Sequence, residues 1–266
     1  MTSSAKVHPA PPAAAPELYE QPLAERMRTF LRIEDLYQQF LFHVDAVPAW
    51  NTRVVIASLL DMVAVLNRGD VRNDVLKELD RQLFLFDRYQ NMPAVDDGRL
   101  RAVLDNLRQL REELAAVGSQ YLQPLRENEF LSAIKHRSAI PGGVCEFDLP
   151  EYSHWLRKPH AERLADVERW MATLRPLCNS IIELLWLVRE STPPTSQLAS
   201  NGVYYHVLAR DSASNLLRIG LPAGSAIYPE ISGSHHRFTM RFMEWPASRD
   251  RPVQVTRDVR FQLTLC

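Results

Sequence analysis

The chain has 266 residues, with 31 Lys plus Arg against 32 Asp plus Glu, a formal net charge of -1 and a pI near 6.7. Coating nucleic acid or an anionic membrane takes a basic excess, because phosphate affinity comes from neutralising many charges at once, so this balance excludes a general polyanion binder and leaves only local anion recognition. Hydrophobic residues at 46% and charged residues at 24% fit a soluble globular chain of one or two domains with a real core, and 9 glycines leave few phosphate-cradling loops.

Residues 1 to 17 hold Pro9, Pro11, Pro12 and Pro16 among Ala and Ser. That composition buries too little apolar surface to offset the entropy of ordering, so a disordered extension is expected there. The start carries no apolar h-region or cleavage pattern and is not expected to be a signal peptide. From Leu18 to Arg189 the periodicity is mostly helical, which predicts a helical domain over 18 to 192. The apolar run VVIASLLDMVAVL at 54 to 66 is broken by Asp61 and is shorter than the roughly 20 residues a bilayer span needs. No membrane partner is expected.

Over 71 to 90, Leu76, Leu79, Leu83 and Phe86 make one stripe; over 98 to 117, Leu100, Val103, Leu104, Leu107, Leu110, Leu114 and Val117 make another. The connector NMPAVDDG, with Pro93 and Gly98, turns the chain between them and predicts an antiparallel helical hairpin. VCEFDL, within 143 to 149 after the turn PGG, reads as a strand inserted among helices and given to a later sheet. SIIELLWLVRE at 180 to 190 is apolar nearly all round and predicts a buried helix, stopped by TPP at 192 to 194.

Beyond about Asn201 the period becomes two. In HHRFTMRFM, His236, Phe238, Met240 and Phe242 alternate with Arg237, Thr239, Arg241 and Met243, and Val259, Phe261, Leu263 and Leu265 alternate with Arg260, Gln262 and Thr264. VYYHVLA at 203 to 209 and NLLRIGL at 215 to 221 add two more strands, joined by the turn-rich RDSAS. The fold class expected is α+β: an N-terminal, mainly helical bundle domain and a smaller C-terminal antiparallel β domain over 200 to 266.

The chemistry motifs are missing. No G-x-G-x-x-G, G-x-x-x-x-G-K-[ST], G-x-S-x-G or H-E-x-x-H occurs, which removes the usual warrant for a dinucleotide site, a P-loop, a serine hydrolase or a zincin. His235 and His236 are adjacent on a strand and point to opposite faces, so they cannot ligate one metal. Cys145, Cys178 and Cys266 are widely spaced with no C-x-x-C pair, which suits a reducing cytosol rather than a disulfide framework or zinc knuckle. A hydrolase using Cys145 or His154 is the rival reading and has no motif in its favour. Neither catalysis nor a cofactor is expected, and no nucleic-acid partner.

Arginine is where the sequence leans. Of the 31 basic residues only Lys6, Lys77, Lys135 and Lys158 are lysines, a bias toward planar, bidentate carboxylate contacts. A GC-rich genome accounts for the bias by composition alone, so position carries the argument. Arg28 and Arg32 share a helical face with Glu25. Arg237 and Arg241 share a strand face about 13 Å apart, at about 3.3 Å per residue. From Leu198 to Cys266 there are 8 Arg and 5 acids, hence +3, and the other 197 residues total -4. A basic groove between the first helices and the β domain is the expected binding feature, suited to an acidic, partly apolar peptide.

Four strings carry a family resemblance: QPLAERMRTFLRIEDL at 21 to 36, VRNDVLKELDRQ at 71 to 82, SAIPGGVCEFDLP at 138 to 150 and IYPEISGSHHRFTMRFM at 227 to 243. In order and in wording they resemble the ZapD family of bacterial cell-division proteins, from about residue 19 to the C-terminus. The resemblance implies a helical and a β domain, a homodimer, and direct binding to the C-terminal tail of FtsZ, the tubulin-like GTPase of the division ring. It further implies bundling of FtsZ protofilaments, ring stabilisation, lowered FtsZ GTPase activity, and a cytoplasmic location at the midcell division site. A positively charged pocket implicated in tail capture maps onto Arg28 and Arg32, Arg68 and Arg72, and Arg237 and Arg241. Phe30 stands where enteric members carry Trp, while the extension before residue 18 and the loop 246 to 258 match poorly.

Overall fold

Apolar side chains repeated every three or four residues build the first part of the chain, and alternating ones build the last. The computed structural model describes residues 15–91, 96–209, 214–233, 236–246 and 250–266. Residues 1–14 of the expected extension lie outside this set, as do Pro93, Arg210, His235, Arg249 and most of the RDSAS turn. The described chain begins with strand β1 (Glu17–Pro22). Helices α1 (Glu25–Val44), α2 (Ala49–Leu66), α3 (Val71–Asp87), α4 (Asp97–Ala116), α5 (Gln123–Arg126), α6 (Glu129–Ser138), α7 (Pro150–Leu156), α8 (His160–Met171) and α9 (Arg175–Glu190) follow. Then come β2 (Thr195–Ala199), β3 (Val203–Val207), β4 (Leu216–Leu221), β5 (Ile227–Gly233), β6 (Arg237–Glu244), β7 (Val253–Gln254) and β8 (Val259–Leu265). The expected α+β class is the one observed. The chain divides into two compact units, Arg28–Leu187 and the segment up to Met27 together with Val188–Cys266.

In the helical unit, polar side chains start the helices where the backbone N–H groups need acceptors. Asp70 accepts from the Asn73 N–H, Asp96 from Gly98 and Arg99, and Asn128 from Leu131. The hairpin of α3 and α4 is antiparallel: Arg72 reaches the Leu114 carbonyl, Arg111 reaches Asp80 at 2.5 Å, and Arg108 reaches Asp87 at 3.4 Å. On α4, Leu100, Leu104, Leu107, Leu110 and Leu114 are buried as expected. On α3 the buried stripe is Val71, Val75, Glu78, Leu79 and Gln82, with Leu76, Leu83 and Phe86 half-buried. Two polar residues enter this stripe because Gln82 Nε2 donates to Glu78 Oε1 at 3.1 Å and Arg81 pairs with the same carboxylate.

Helix α2, at 18 residues, is longer than the apolar run within it and is long and apolar enough to cross a membrane by length and composition. Its Val55, Ile56, Leu59, Met62, Val63 and Leu66 are buried within this structure, with Asp61 exposed. Phe130, Tyr152, Trp155 and Trp170 form a ring cluster, stacked at 5.8 Å for Phe130 and Trp170. Arg163 is buried and clamps three carbonyls, those of Leu156, Lys158 and Val47. Helix α9 is not enclosed all round: Leu184, Leu185 and Leu187 are buried, but Trp186 is 43% exposed.

The expected strand over 143 to 149 is absent. Residues 139 to 148 run as turns, with Gly143 N–H on the Ile140 carbonyl, Cys145 on Gly142 and Leu149 on Cys145. Gly142 sits at φ 73°, and a Cβ on Gly143 would lie 2.4 Å from the Arg137 carbonyl oxygen. The glycines therefore curl the chain, these N–H groups are satisfied locally, and Phe147 is left 86% exposed. The strand that reaches the β unit from far away in sequence is instead β1, in a stretch where helical periodicity was expected. Strand β2 likewise begins before residue 200.

The β unit contains two four-stranded antiparallel sheets. The first has the order β1-β4-β8-β2; the second has β3-β6-β5, with β7 pairing to the end of β6. Their inner faces share one core in which Leu217, Ile219, Phe261 and Leu263 meet Phe238, Met240 and Phe242. Phe242 and Phe261 contact at 5.2 Å, and Tyr204 meets Phe261 edge-on at 5.1 Å. This is a face-to-face sandwich, and each strand turns its alternate residues outward.

Candidate functional site

Strand β6 shows what alternation does. Phe238, Met240 and Phe242 are 1%, 0% and 0% exposed, while Arg237 and Arg241 stand exposed on the outer face of the second sheet. Register places the neighbours of these arginines on the same face. Val207 lies opposite Arg237; Tyr205 and Ser232 flank Thr239; Val203 and Glu230 flank Arg241. Tyr205 is 56% and Val207 61% exposed. A shallow hollow of about 430 Å³ opens between Tyr205, Ser232, Arg237 and Thr239. Among the described residues, neither Arg237 nor Arg241 has an ion pair within 4.0 Å. The face thus offers guanidinium forks beside exposed aromatic and aliphatic surface, a combination that grips carboxylates and apolar side chains together.

The other expected site residues belong to the helical unit. On α1, Arg28 is half-buried and Arg32, one turn on, is exposed; Phe30 between them is in the core at 1%. Arg68 follows α2 and is exposed. Arg72, in the first turn of α3, donates from Nε to the Leu114 carbonyl at 3.2 Å and from Nη2 to the Ala115 carbonyl at 3.0 Å. Those carbonyls end α4, so Arg72 caps a helix terminus where a cation is favoured. Its fork is committed to the fold in a way that those of Arg237 and Arg241 are not.

One arginine cluster escaped sequence reasoning. Glu20 of β1 accepts two bonds from Arg189 at 2.8 and 2.7 Å and one from Arg218 Nε at 3.0 Å, while Arg218 Nη1 donates to the Arg189 carbonyl at 3.0 Å. These three residues are 169 and 198 apart in sequence, so no local pattern reveals them. Alternation in VYYHVLA groups Val203, Tyr205 and Val207 on one face, but it gives that apolar set no reason to face outward; pairing with β6 decides it, with Tyr204 and His206 turned toward Phe238.

No hydrogen bond joins Cys145 and His154 among the described residues. Cys145 Sγ lies 3.5 Å from Asp148 Oδ2, His154 is exposed, and the buried Cys178 thiol is pushed up to about 12 by burial. Among the described residues no group of three or more His, Cys, Asp or Glu is placed to hold a metal ion.

A helical unit and a β-sandwich whose second sheet exposes Arg237 and Arg241 on its outer face define an α+β chain. The family model for the cell division protein ZapD matches residues 31–241. The chain is 36% identical over 249 residues to the cell division protein ZapD of Methylococcus capsulatus (strain Bath), covering 94% of this chain and 97% of that relative. It is also 36% identical over 255 residues to that of Shigella boydii serotype 4, covering 94% and 98%. The chain belongs to the ZapD family of cell division proteins.

Proposed function

We propose that this chain binds FtsZ directly through the FtsZ C-terminal tail, and cross-links and bundles FtsZ protofilaments in the cytoplasm at the midcell division site. In this reading it strengthens the division ring, lowers FtsZ GTPase activity, and neither catalyses a reaction nor carries a cofactor. The observation that carries it is the outer face of the second sheet, where Arg237 and Arg241 are exposed beside Tyr205 and Val207. An acidic, partly apolar tail finds both of its partners there. Arg28, Arg32, Arg68 and Arg72 of the helical unit are the further tail-binding residues in this reading, and Arg72 would have to leave the α4 carbonyls it holds.

Ordering a flexible tail costs conformational entropy, so one site should bind at roughly micromolar strength. Bundling then needs two sites in one particle. A homodimer supplies them, and tails displayed along a polymer raise the effective concentration enough to turn weak contacts into avidity. Pelleting of FtsZ filaments with and without the protein tests this. Intact FtsZ should pellet as bundles and tail-deleted FtsZ should not; equal pelleting of both would remove tail capture. Arg237→Glu and Arg28→Glu should each reduce bundling with the fold intact, and added salt should weaken it because the charges are partly exposed.

A further inference from the structure

The two arginines of β6 look equivalent in sequence and are not equivalent on the sheet. Arg241 faces Glu230 directly across the strand pair, so a negative charge already stands beside it. Arg237 faces Val207 on β3. Between the arginines runs one cross-strand row, Tyr205, Thr239 and Ser232, which places three hydroxyl side chains side by side on β3, β6 and β5. Arg237, Tyr205, Thr239 and Ser232 all line the same hollow of about 430 Å³. No hydrogen bond is made by these hydroxyls among the described residues.

Resting on the tail-binding reading above, we infer that the Arg237 end of this face is a carboxylate subsite, formed by the Arg237 guanidinium and the hydroxyls of Tyr205, Thr239 and Ser232, and that Arg241 with Glu230 is a different subsite. An ionised carboxylate only accepts hydrogen bonds, and this corner presents donors: the N–H groups of the guanidinium and three O–H groups that rotate to suit. A planar fork matches a carboxylate with two parallel bonds. A single cation with neutral hydroxyls balances one negative charge, whereas phosphate sites add further cations or backbone N–H groups. Glu230 repels a second carboxylate at the other end, so an acidic peptide is oriented as well as held. Exposed Val207 takes the aliphatic surface next to the acid.

The test uses the full chain and a synthetic FtsZ tail peptide followed by fluorescence anisotropy. Replacing Ser232→Ala together with Thr239→Val removes two hydroxyls at nearly constant volume on an exposed face, and circular dichroism checks that the variant folds. It should weaken the peptide about 10-fold, since hydrogen bonds to a charged group are the strong ones. The loss should vanish for one peptide in which a single acid is changed to its amide. Peptides ending in a free acid or an amide show whether that carboxylate is a side chain or the chain end. Unchanged affinity of the double variant, or equal losses from Arg237→Ala and Arg241→Ala, would overturn the subsite.

If the wild-type protein ignores the tail, tail capture falls and the subsite is read separately. N-acetylglutamate N-methylamide is titrated while the Arg237 Nε–H signal is followed by NMR. A saturating shift in the wild type that is lost in the double variant supports the subsite. No shift, or tighter binding of inorganic phosphate than of this monocarboxylate, overturns it.

Discussion

The two outer faces of the β-sandwich use arginine in opposite ways. On the first sheet, Arg218 lies across from Glu20, which also takes both donors of Arg189; these side chains are 18%, 18% and 21% exposed. On the second sheet, Arg237 and Arg241 are exposed and without an ion pair among the described residues. Strand alternation turns the residues outward in both cases. What differs is the counter-charge and the cover: a carboxylate within 3.0 Å plus the end of α9 makes Arg218 part of the fold, whereas Arg237 is exposed and has neither among the described residues. Arginine content therefore says little until the local acids are located.

The contrast can be broken by substitution, starting inside. Phe242→Ala empties a fully buried ring position between the sheets and should cost about 4 kcal/mol in urea unfolding, whereas Arg241→Ala, its neighbour in sequence, should cost under about 0.5 kcal/mol. Glu20→Ala leaves two partly buried guanidinium groups without their shared acceptor. It should cost about 2 kcal/mol, less than for a fully buried pair because water still reaches the site. If Glu20→Ala unfolds at the wild-type urea midpoint, the first sheet's cluster is decorative and the comparison fails. Arg237→Ala should leave the midpoint unchanged yet reduce FtsZ pelleting several-fold, separating binding from stability.

The smallest effect lies outside the sandwich and depends on pH. Burial raises the Asp166 carboxyl, but bonds from the Trp155 indole N–H at 2.8 Å and from Arg169 outweigh it, so its pKa is lowered. A lowered folded-state pKa gives stability that is present above the unfolded value, about 3.9, and lost as pH falls through the folded one. Asp166→Asn should flatten the stability profile below about pH 4 by a few tenths of a kcal/mol, measured by urea midpoints across pH.

Much of this was legible in the chain. The stripe on α4, the α3–α4 hairpin and the alternation of β6 and β8 follow from periods of 3.6 and 2, which depend only on local backbone geometry. The outward placement of Arg237 and Arg241 follows from the same rule. The misreadings have local causes too. Residues 144 to 149 alternate in polarity but follow Gly142 and Gly143, which curl the chain, so the N–H groups of Cys145 and Leu149 bond nearby carbonyls. Glu17–Pro22 is six residues with Pro at its end, too short to show a period, and pairs with β4 far along the chain.

The sequence by itself determined the two regimes of the chain, helical then alternating, and which side of β6 meets solvent, because burial of apolar groups selects a face wherever the pattern has a period. Only the tertiary structure decided which arginines have counter-charges. Glu20 bonds Arg218 across 198 residues, whereas Glu230 lies opposite Arg241 in strand register without an ion pair within 4.0 Å among the described residues. Charge pairing depends on distance in space, falling off within a few ångströms once water screens it, and no spacing along the chain encodes that distance.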